Sequence, residues 1–396
     1  MKFLKCLIIN SVCGIRSTGR ICVDIAEKLI VRGNVVKIAY GRENVPEEYK
    51  KYSVRIGTDI DVKIHGLVAR FFDAAGFGSK TKTRKFVEWI KDYDPDIIHI
   101  HNLHGYYINV EILFDYLKQS GKKIIWTLHD CWSFTGHCPY FEFIKCDKWI
   151  NGCGKCPQIK EYPKSYLDFS ERNWRKKKAA FTGVKDMVLV TPSQWLASLT
   201  KKSYMREYTV KVIHNSVDTD IFKPLKSGIK QEYSLGDKKV VLGVASEWNY
   251  RKGFDYMVKL AEKLGNNYVV VVIGITEEQK KVLLPNMLGL SRTANIQKLV
   301  EWYSVAEVFV NPTLEDNYPT TNLEAIACGT PVLTFASGGS AESAKLYGEA
   351  VPKGDIDSIC EIILNGKFKD YQLNKTEDDM ISQYLSLYEK MIKDIK

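Results

Sequence analysis

Short apolar, β-branched runs alternate with amphipathic segments along this chain, and the alternation starts afresh after residue 237. Leu4–Ile9, Val35–Tyr40, Ile97–His101, Ile124–Leu128, Met187–Val190 and Val210–Ile213 form one set of runs. Val240–Ala245, Tyr268–Ile273, Val308–Val310 and Pro331–Phe335 form the second. Between them lie amphipathic stretches such as Ile21–Leu29, closed by Gly33, and Val110–Leu117, closed by Gly121. Strands joined by crossover helices pair in parallel, so the expected fold class is α/β with two Rossmann-like parallel-sheet domains. A length of 396 residues suits two such domains. The expected boundaries are 1–215, with a Cys-rich insertion at about 131–160, and 216–377, whose first part reads as a linker broken by Pro224, Gly228 and Gly236. Ile381, Leu385, Tyr388, Ile392 and Ile395 mark one face of a final helix, 378–396, expected to cross back onto the first domain.

Composition excludes several classes. A chain with 45% hydrophobic and 26% charged residues has a globular balance. No apolar run approaches the roughly 20 residues of a membrane span. Lys5 and Asn10 break the first apolar stretch, which reads as a buried strand and not a leader, so a cytoplasmic protein is expected. The net charge of +10 is concentrated: 160–211 holds twelve Lys/Arg against five Asp/Glu, with Arg172, Arg175, Lys176, Lys177 and Lys178 as its centre. Such a stretch is either a solvated helix face or an attractor of anions, a membrane surface among them. No nucleic-acid-binding signature accompanies it, so no nucleic acid partner is expected.

Ligands of open α/β sheets bind beyond the carboxyl ends of the strands. The most informative segment there runs from Asn311 to Val332, NPTLEDNYPTTNLEAIACGTPV. A strand ends at Asn311, a loop carries acids, Pro319 and Thr320 start a helix, and Gly329 caps it. The helix N-terminus at Thr320 and Thr321 suits a pyrophosphate. Glu324 falls in about the first turn, where a carboxylate would repel phosphate and should meet ribose hydroxyls instead. Asp316 is placed to bind sugar hydroxyls.

This run resembles the donor-binding signature of glycosyltransferase family 4, retaining enzymes of GT-B fold in which two Rossmann-like domains face a central cleft. That signature has two acids separated by seven residues, followed by Ala-x-Ala-Cys-Gly-Thr-Pro-Val; here the acids are Asp316, where the family usually has Glu, and Glu324. The resemblance implies that Asp316 holds the donor sugar. Backbone groups from Asn317 and Tyr318 to Thr320 and Thr321 would hold sugar and diphosphate, and Glu324 the ribose. Pro319 stands where the family often has Gly, which removes one N–H.

The segment from Gly243 to Gly253, GVASEWNYRKG, looks like the family's strand–loop–Lys-Gly element. By that match Lys252 stabilises the leaving diphosphate, as fixed cations do where charge develops. The family's arginine lies five or six residues earlier, where this chain has Glu247 and Ser246, and Arg251 is the compensating cation. The loop Ser11–Arg20 follows the first strand and matches the family's Gly-containing loop at Gly19, alongside a plain reading as a tight turn. His129, after the strand Ile124–Leu128, matches a histidine that reaches the donor sugar; a core or capping histidine is the alternative. Arg292 lies in the region that borders the base.

Cys138, Cys146, Cys153 and Cys156 crowd the insertion, the last two as C-x2-C with His137 nearby. A structural zinc would staple an insertion that otherwise lacks a core, and reduced thiols or disulfides are the other readings. The segment also resembles a feature of family members in bacterial surface-polysaccharide assembly. The reading implied is a retaining transferase of hexosyl type. It would move a sugar from a nucleoside diphosphate sugar to a saccharide hydroxyl, on an acceptor linked to polyprenyl diphosphate at the inner membrane face. No cofactor is required for catalysis. A nucleotide-sugar epimerase or a non-catalytic sugar-nucleotide-binding subunit is the rival.

Overall fold

The structure is a computed structural model that describes residues 3–366, 368 and 380–393. The chain divides into two compact units, Met1–His214 with Asp378–Lys396, and Asn215–Glu377. The first unit holds seven strands: β1 (Lys5–Ile9), β2 (Val35–Tyr40), β3 (Ser53–Arg55), β4 (Ile97–Ile100), β5 (Lys123–Thr127), β6 (Met187–Thr191) and β7 (Thr209–Val212). The second holds six: β8 (Lys239–Val244), β9 (Tyr268–Ile273), β10 (Met287–Leu290), β11 (Ala306–Asn311), β12 (Val332–Phe335) and β13 (Gly348–Val351). The sheet orders are β3-β2-β1-β4-β5-β6-β7 and β10-β9-β8-β11-β12-β13, with every pairing parallel.

Successive side chains of a strand point to opposite faces, and a parallel sheet is covered on both. In β1, Leu7 and Ile9 enter one core with Ile98, Trp126 and Leu189, while Cys6 and Ile8 enter another with Ile38 and Ile125. That is why the run is apolar throughout and shows no alternation. The helix Met380–Lys393 buries Ile381, Tyr384, Leu385 and Tyr388 in the second of these cores. Ile392 packs at its edge, and Ile395 lies outside the described residues. The tyrosines also reach polar groups of the sheet: Tyr388 Oη lies 2.5 Å from His99 Nδ1, and Tyr384 Oη 2.9 Å from Thr127 Oγ1.

Side-chain caps fix six of the helix starts among the described residues. Asn109, Ser193, Asn295 and Asp355 each accept a backbone N–H from the first turn, and Thr58 and Thr276 form capping boxes. Gly121 ends its helix in the left-handed conformation, as its position in the sequence implies.

Candidate functional site

The strand order of the second sheet reverses between β8 and β11, the kind of switch point at which open α/β sheets bind ligands. The loops leaving those two strands are locked together. Gly253 has a φ of 81°, and a Cβ there would stand 2.1 Å from the Pro312 carbonyl oxygen, so glycine alone permits the approach. Leu314 N–H donates to the Arg251 carbonyl at 2.7 Å. Trp248 anchors the first loop by donating from its indole to the Ile273 carbonyl at 2.8 Å.

This closure brings the sequence-expected cations to the acid. Lys252 Nζ lies 2.5 Å from Asp316 Oδ2, with the side chains 22% and 11% exposed. The Arg251 guanidinium donates to the Glu315 carbonyl. Burial would raise the Asp316 carboxyl, but Lys252 and Arg251 more than offset it and hold the acid below its ordinary range. Burial pulls the Lys252 ammonium downward, against the attraction of Asp316. The Asp316 backbone is fixed as well: Gly339 N–H donates to its carbonyl at 2.9 Å, and a Cβ on Gly338 (φ 54°) would lie 2.0 Å from that oxygen. Asn317 N–H donates to Asp316 Oδ1 at 3.0 Å, and Asn215 holds the Tyr318 carbonyl at 3.0 Å.

Pro319 is the N-cap of the helix Thr320–Ala327, which Thr320 and Thr321 open. The positive end of this helix therefore follows directly on the acid loop. Asn322 ties the helix down through Asn311, Ser340 and Ser343, a buried network that sequence reasoning missed because its members are scattered. Glu324 is the fifth residue of the helix, just past its first turn. Its Oε2 accepts from Tyr303 Oη at 2.9 Å. Arg292 is exposed beyond edge strand β10, which β9 separates from β8, and the structure does not bring it to the Lys252–Asp316 pair.

In the first unit, polar groups gather at the ends of β4 and β5. His101 Nδ1 lies 2.9 Å from His129 Nε2, and His104 Nε2 lies 2.8 Å from Asp130 Oδ2. Burial lowers His129 to about 4, so its imidazole is neutral near pH 7. Burial, with His99 and His129 beside it, also pushes the His101 imidazole well down, and its Nε2 is buried with no hydrogen-bond partner among the described residues. Gly19 is not a loop residue: it lies in the first turn of the helix Arg16–Val31. Its carbonyl accepts from Gly14 N–H at 3.1 Å, and Val12 stands where a side chain would go. The positive φ that a tight turn needs belongs to Gly14.

The family descriptions "Glycosyltransferase Family 4" and "Glycosyl transferases group 1" match residues 18–221 and 226–365. The chain belongs to glycosyltransferase family 4. It is 22% identical over 335 residues to the putative colanic acid biosynthesis glycosyl transferase WcaC of Escherichia coli (strain K12), covering 81% of this chain and 80% of that protein. Among solved structures it resembles sucrose-phosphate synthase of Thermosynechococcus elongatus, with a TM-score of 0.71 at 15% identity over 99% and 100% of the two chains. It also resembles HepE of Anabaena in complex with UDP and glucose, with a TM-score of 0.65 at 13% identity over 98% and 99%. These likenesses show the GT-B fold, and with the family match they make the chain a glycosyltransferase.

The Cys-rich insertion of this family 4 enzyme carries the residues of the zinc expectation. Cys138, Cys146, Cys153 and Cys156 do line one cavity with His137. Among the described residues, however, no three His, Cys, Asp or Glu side chains are grouped to hold a metal ion. The Cys138 and Cys156 thiols share a hydrogen bond, and Cys153 Sγ accepts from Gly136 N–H at 3.1 Å. No disulfide forms, all four being free cysteines. The insertion also has the core that a staple would replace. Phe134, Phe141 and Trp149 pack together, with Phe141 and Trp149 centroids 4.9 Å apart, and Trp174 donates to the Trp149 carbonyl. Of the basic cluster, Arg172, Arg175 and Lys178 are exposed, but Lys177 is buried, donating to the carbonyls of Trp132 and Thr135 at 2.8 and 3.1 Å. Among the described residues no helix is long and apolar enough to cross a membrane.

Proposed function

We propose that this enzyme transfers a sugar, with retention, from a nucleoside diphosphate sugar to a hydroxyl of a saccharide acceptor. The observation that carries the reading is the meeting of Lys252, Arg251 and Asp316 at the β8/β11 switch point, next to a helix N-terminus. A leaving diphosphate gathers negative charge; two cations and a helix end supply fixed positive charge without a divalent metal. Asp316 offers acceptor oxygens for sugar hydroxyls, and the backbone of Asn317, Tyr318, Thr320 and Thr321 lines the path to the diphosphate. Glu324, oriented by Tyr303, binds the ribose. His129 is a neutral hydrogen-bond partner for a sugar hydroxyl, the role the family resemblance gives it. Gly19 and Arg292 retain only that resemblance as support, and the structure adds nothing to either.

The likeness to a protein named for colanic acid biosynthesis supports polysaccharide assembly as the setting. An acceptor linked to polyprenyl diphosphate fits it, since a lipid carrier holds a growing saccharide at the inner membrane face. The exposed cations of 160–211 suit that surface, making the protein cytoplasmic and peripheral to the membrane.

The test is a panel of nucleotide sugars with the purified protein in EDTA, reading nucleoside diphosphate release. Slow turnover of one donor, abolished in Asp316→Ala and in Lys252→Ala, is the expected result. A panel with neither turnover nor donor binding would overturn the reading.

A further inference from the structure

The helix Asp59–Phe72 turns its apolar face outward. At about 100° per residue, Ile60, Ile64, Leu67 and Phe71 fall within about 60° of arc, while His65 and Ala69 lie on the opposite side. The four apolar residues are 51% to 68% exposed; His65 and Ala69 are the buried ones. Tyr166 and Leu167, also exposed, extend the patch: the Tyr166 ring lies 5.3 Å from that of Phe71, and Tyr166 N–H donates to the Arg70 carbonyl. A contiguous face of this kind marks a docking surface.

Its charges select the occupant. Lys63 and Arg70 project on one flank of the apolar stripe, Arg70 lying 5.1 Å over the Tyr166 ring. Lys164 is exposed beside Tyr166 in sequence, and Arg172 donates to the Phe72 carbonyl at 3.1 Å. The nearby acids are largely taken up. Asp59 pairs with Arg55, Asp61 with Thr58 and Lys82, and Glu171 with Arg175, while Asp168 accepts the N–H groups of Cys156 and Ser170. Bulky apolar side chains flanked by long cations, with a tyrosine at the border, form the pattern of a helix lying in an anionic lipid surface.

We infer that this helix face, with Tyr166 and Leu167, inserts into the surface of an anionic bilayer. The inference goes beyond the transfer reaction and depends on no step of it. It assigns the apolar part of the contact to the helix and leaves 160–172 to supply cations at its rim.

The test is flotation of the full chain with vesicles of phosphatidylcholine, alone or mixed with phosphatidylglycerol. The wild type is expected to float with the mixed vesicles and far less with the neutral ones. Leu67→Ser/Phe71→Ser and, independently, Ile60→Ser/Ile64→Ser should weaken binding at least about tenfold, since each removes two inserted side chains. Thermal unfolding confirms that both variants fold, which their exposed positions favour. The inference fails if the wild type does not float, or if both variants float as it does. It fails equally if light scattering shows a wild-type dimer that both variants convert to monomer, because the face then belongs to a second copy.

Discussion

Lys252 Nζ and Asp316 Oδ2 stand 2.5 Å apart on loops that leave different strands, so the cation and the acid of the site neutralise each other. Each then has a second use. The ammonium can turn to a diphosphate, and the carboxylate can accept from sugar hydroxyls. Lys252→Met should lower kcat/KM by about 10²–10³-fold, the range for removing one preorganised charge stabiliser. Asp316→Asn keeps the shape and removes the charge, so it should raise KM for the donor and lower kcat as well. Steady-state kinetics on the two variants checks this, and near-wild-type kcat/KM in Lys252→Met would remove Lys252 from the chemistry.

Tyr303 and Glu324 make the second pair. A hydrogen bond to a charged group contributes about 1.5–3 kcal/mol, part of which orients Glu324 for a ligand. Tyr303→Phe should therefore weaken donor binding several-fold with little change in kcat, and Glu324→Gln should weaken it more. Calorimetric titration with the nucleotide reads both. Equal donor affinity in wild type and Tyr303→Phe would show that the hydroxyl serves packing alone.

His129 tests the protonation state of the first unit's polar cluster. Burial lowers its pKa to about 4, so it should remain neutral through the range in which an ordinary histidine titrates. With the folded value depressed below the usual 6.5, stability is present above 6.5 and is lost as pH falls through about 4. Nitrogen chemical shifts of the ring should show no titration between about pH 5.5 and 7.5, a window bounded by about one unit on either side of an unperturbed histidine. A midpoint near 6.5 would exclude the neutral state.

What could be read in the sequence was what neighbouring residues determine. The parallel strands, the helix starting after Pro319 and the terminal helix followed from period and punctuation. So did the two motifs carrying Lys252 and Asp316, because each is continuous in the chain. Relationships across long separations were hidden. Tyr303 reaches Glu324 from another helix, and Tyr388 reaches His99 across 289 residues. Gly338 matters to Asp316 only because its missing Cβ leaves room for a carbonyl. The stripe Ile60, Ile64, Leu67 and Phe71 has the period of a buried helix face, yet it is His65 and Ala69 that face inward. Periodicity identifies a face and cannot say what covers it.

Lys177 gives the enzyme a pH-dependent stability that is measurable without any ligand. Burial lowers its pKa from 10.5 to about 7, although Asp73 pulls the other way and the Trp132 ring, 3.4 Å from Nζ, favours the cation. Between about 7 and 10.5 the unfolded chain holds a proton that the native chain has released. Stability from this group is thus complete above the unfolded value and is lost as pH falls through about 7. The slope approaches about 1.4 kcal/mol per pH unit where one proton separates the two states. Thiols such as Cys6, pushed up to about 12 from 9.0, act in the opposite sense above pH 9, while Cys156, lowered to about 7, acts in the same sense as Lys177 just above 7, so the comparison with a Lys177 variant assigns the slope. Urea unfolding at a series of pH values should show wild-type stability rising there. Lys177→Met should flatten that rise and lower stability throughout, because the carbonyls of Trp132 and Thr135 lose their donor. A variant that keeps the wild-type slope would place its source in other groups.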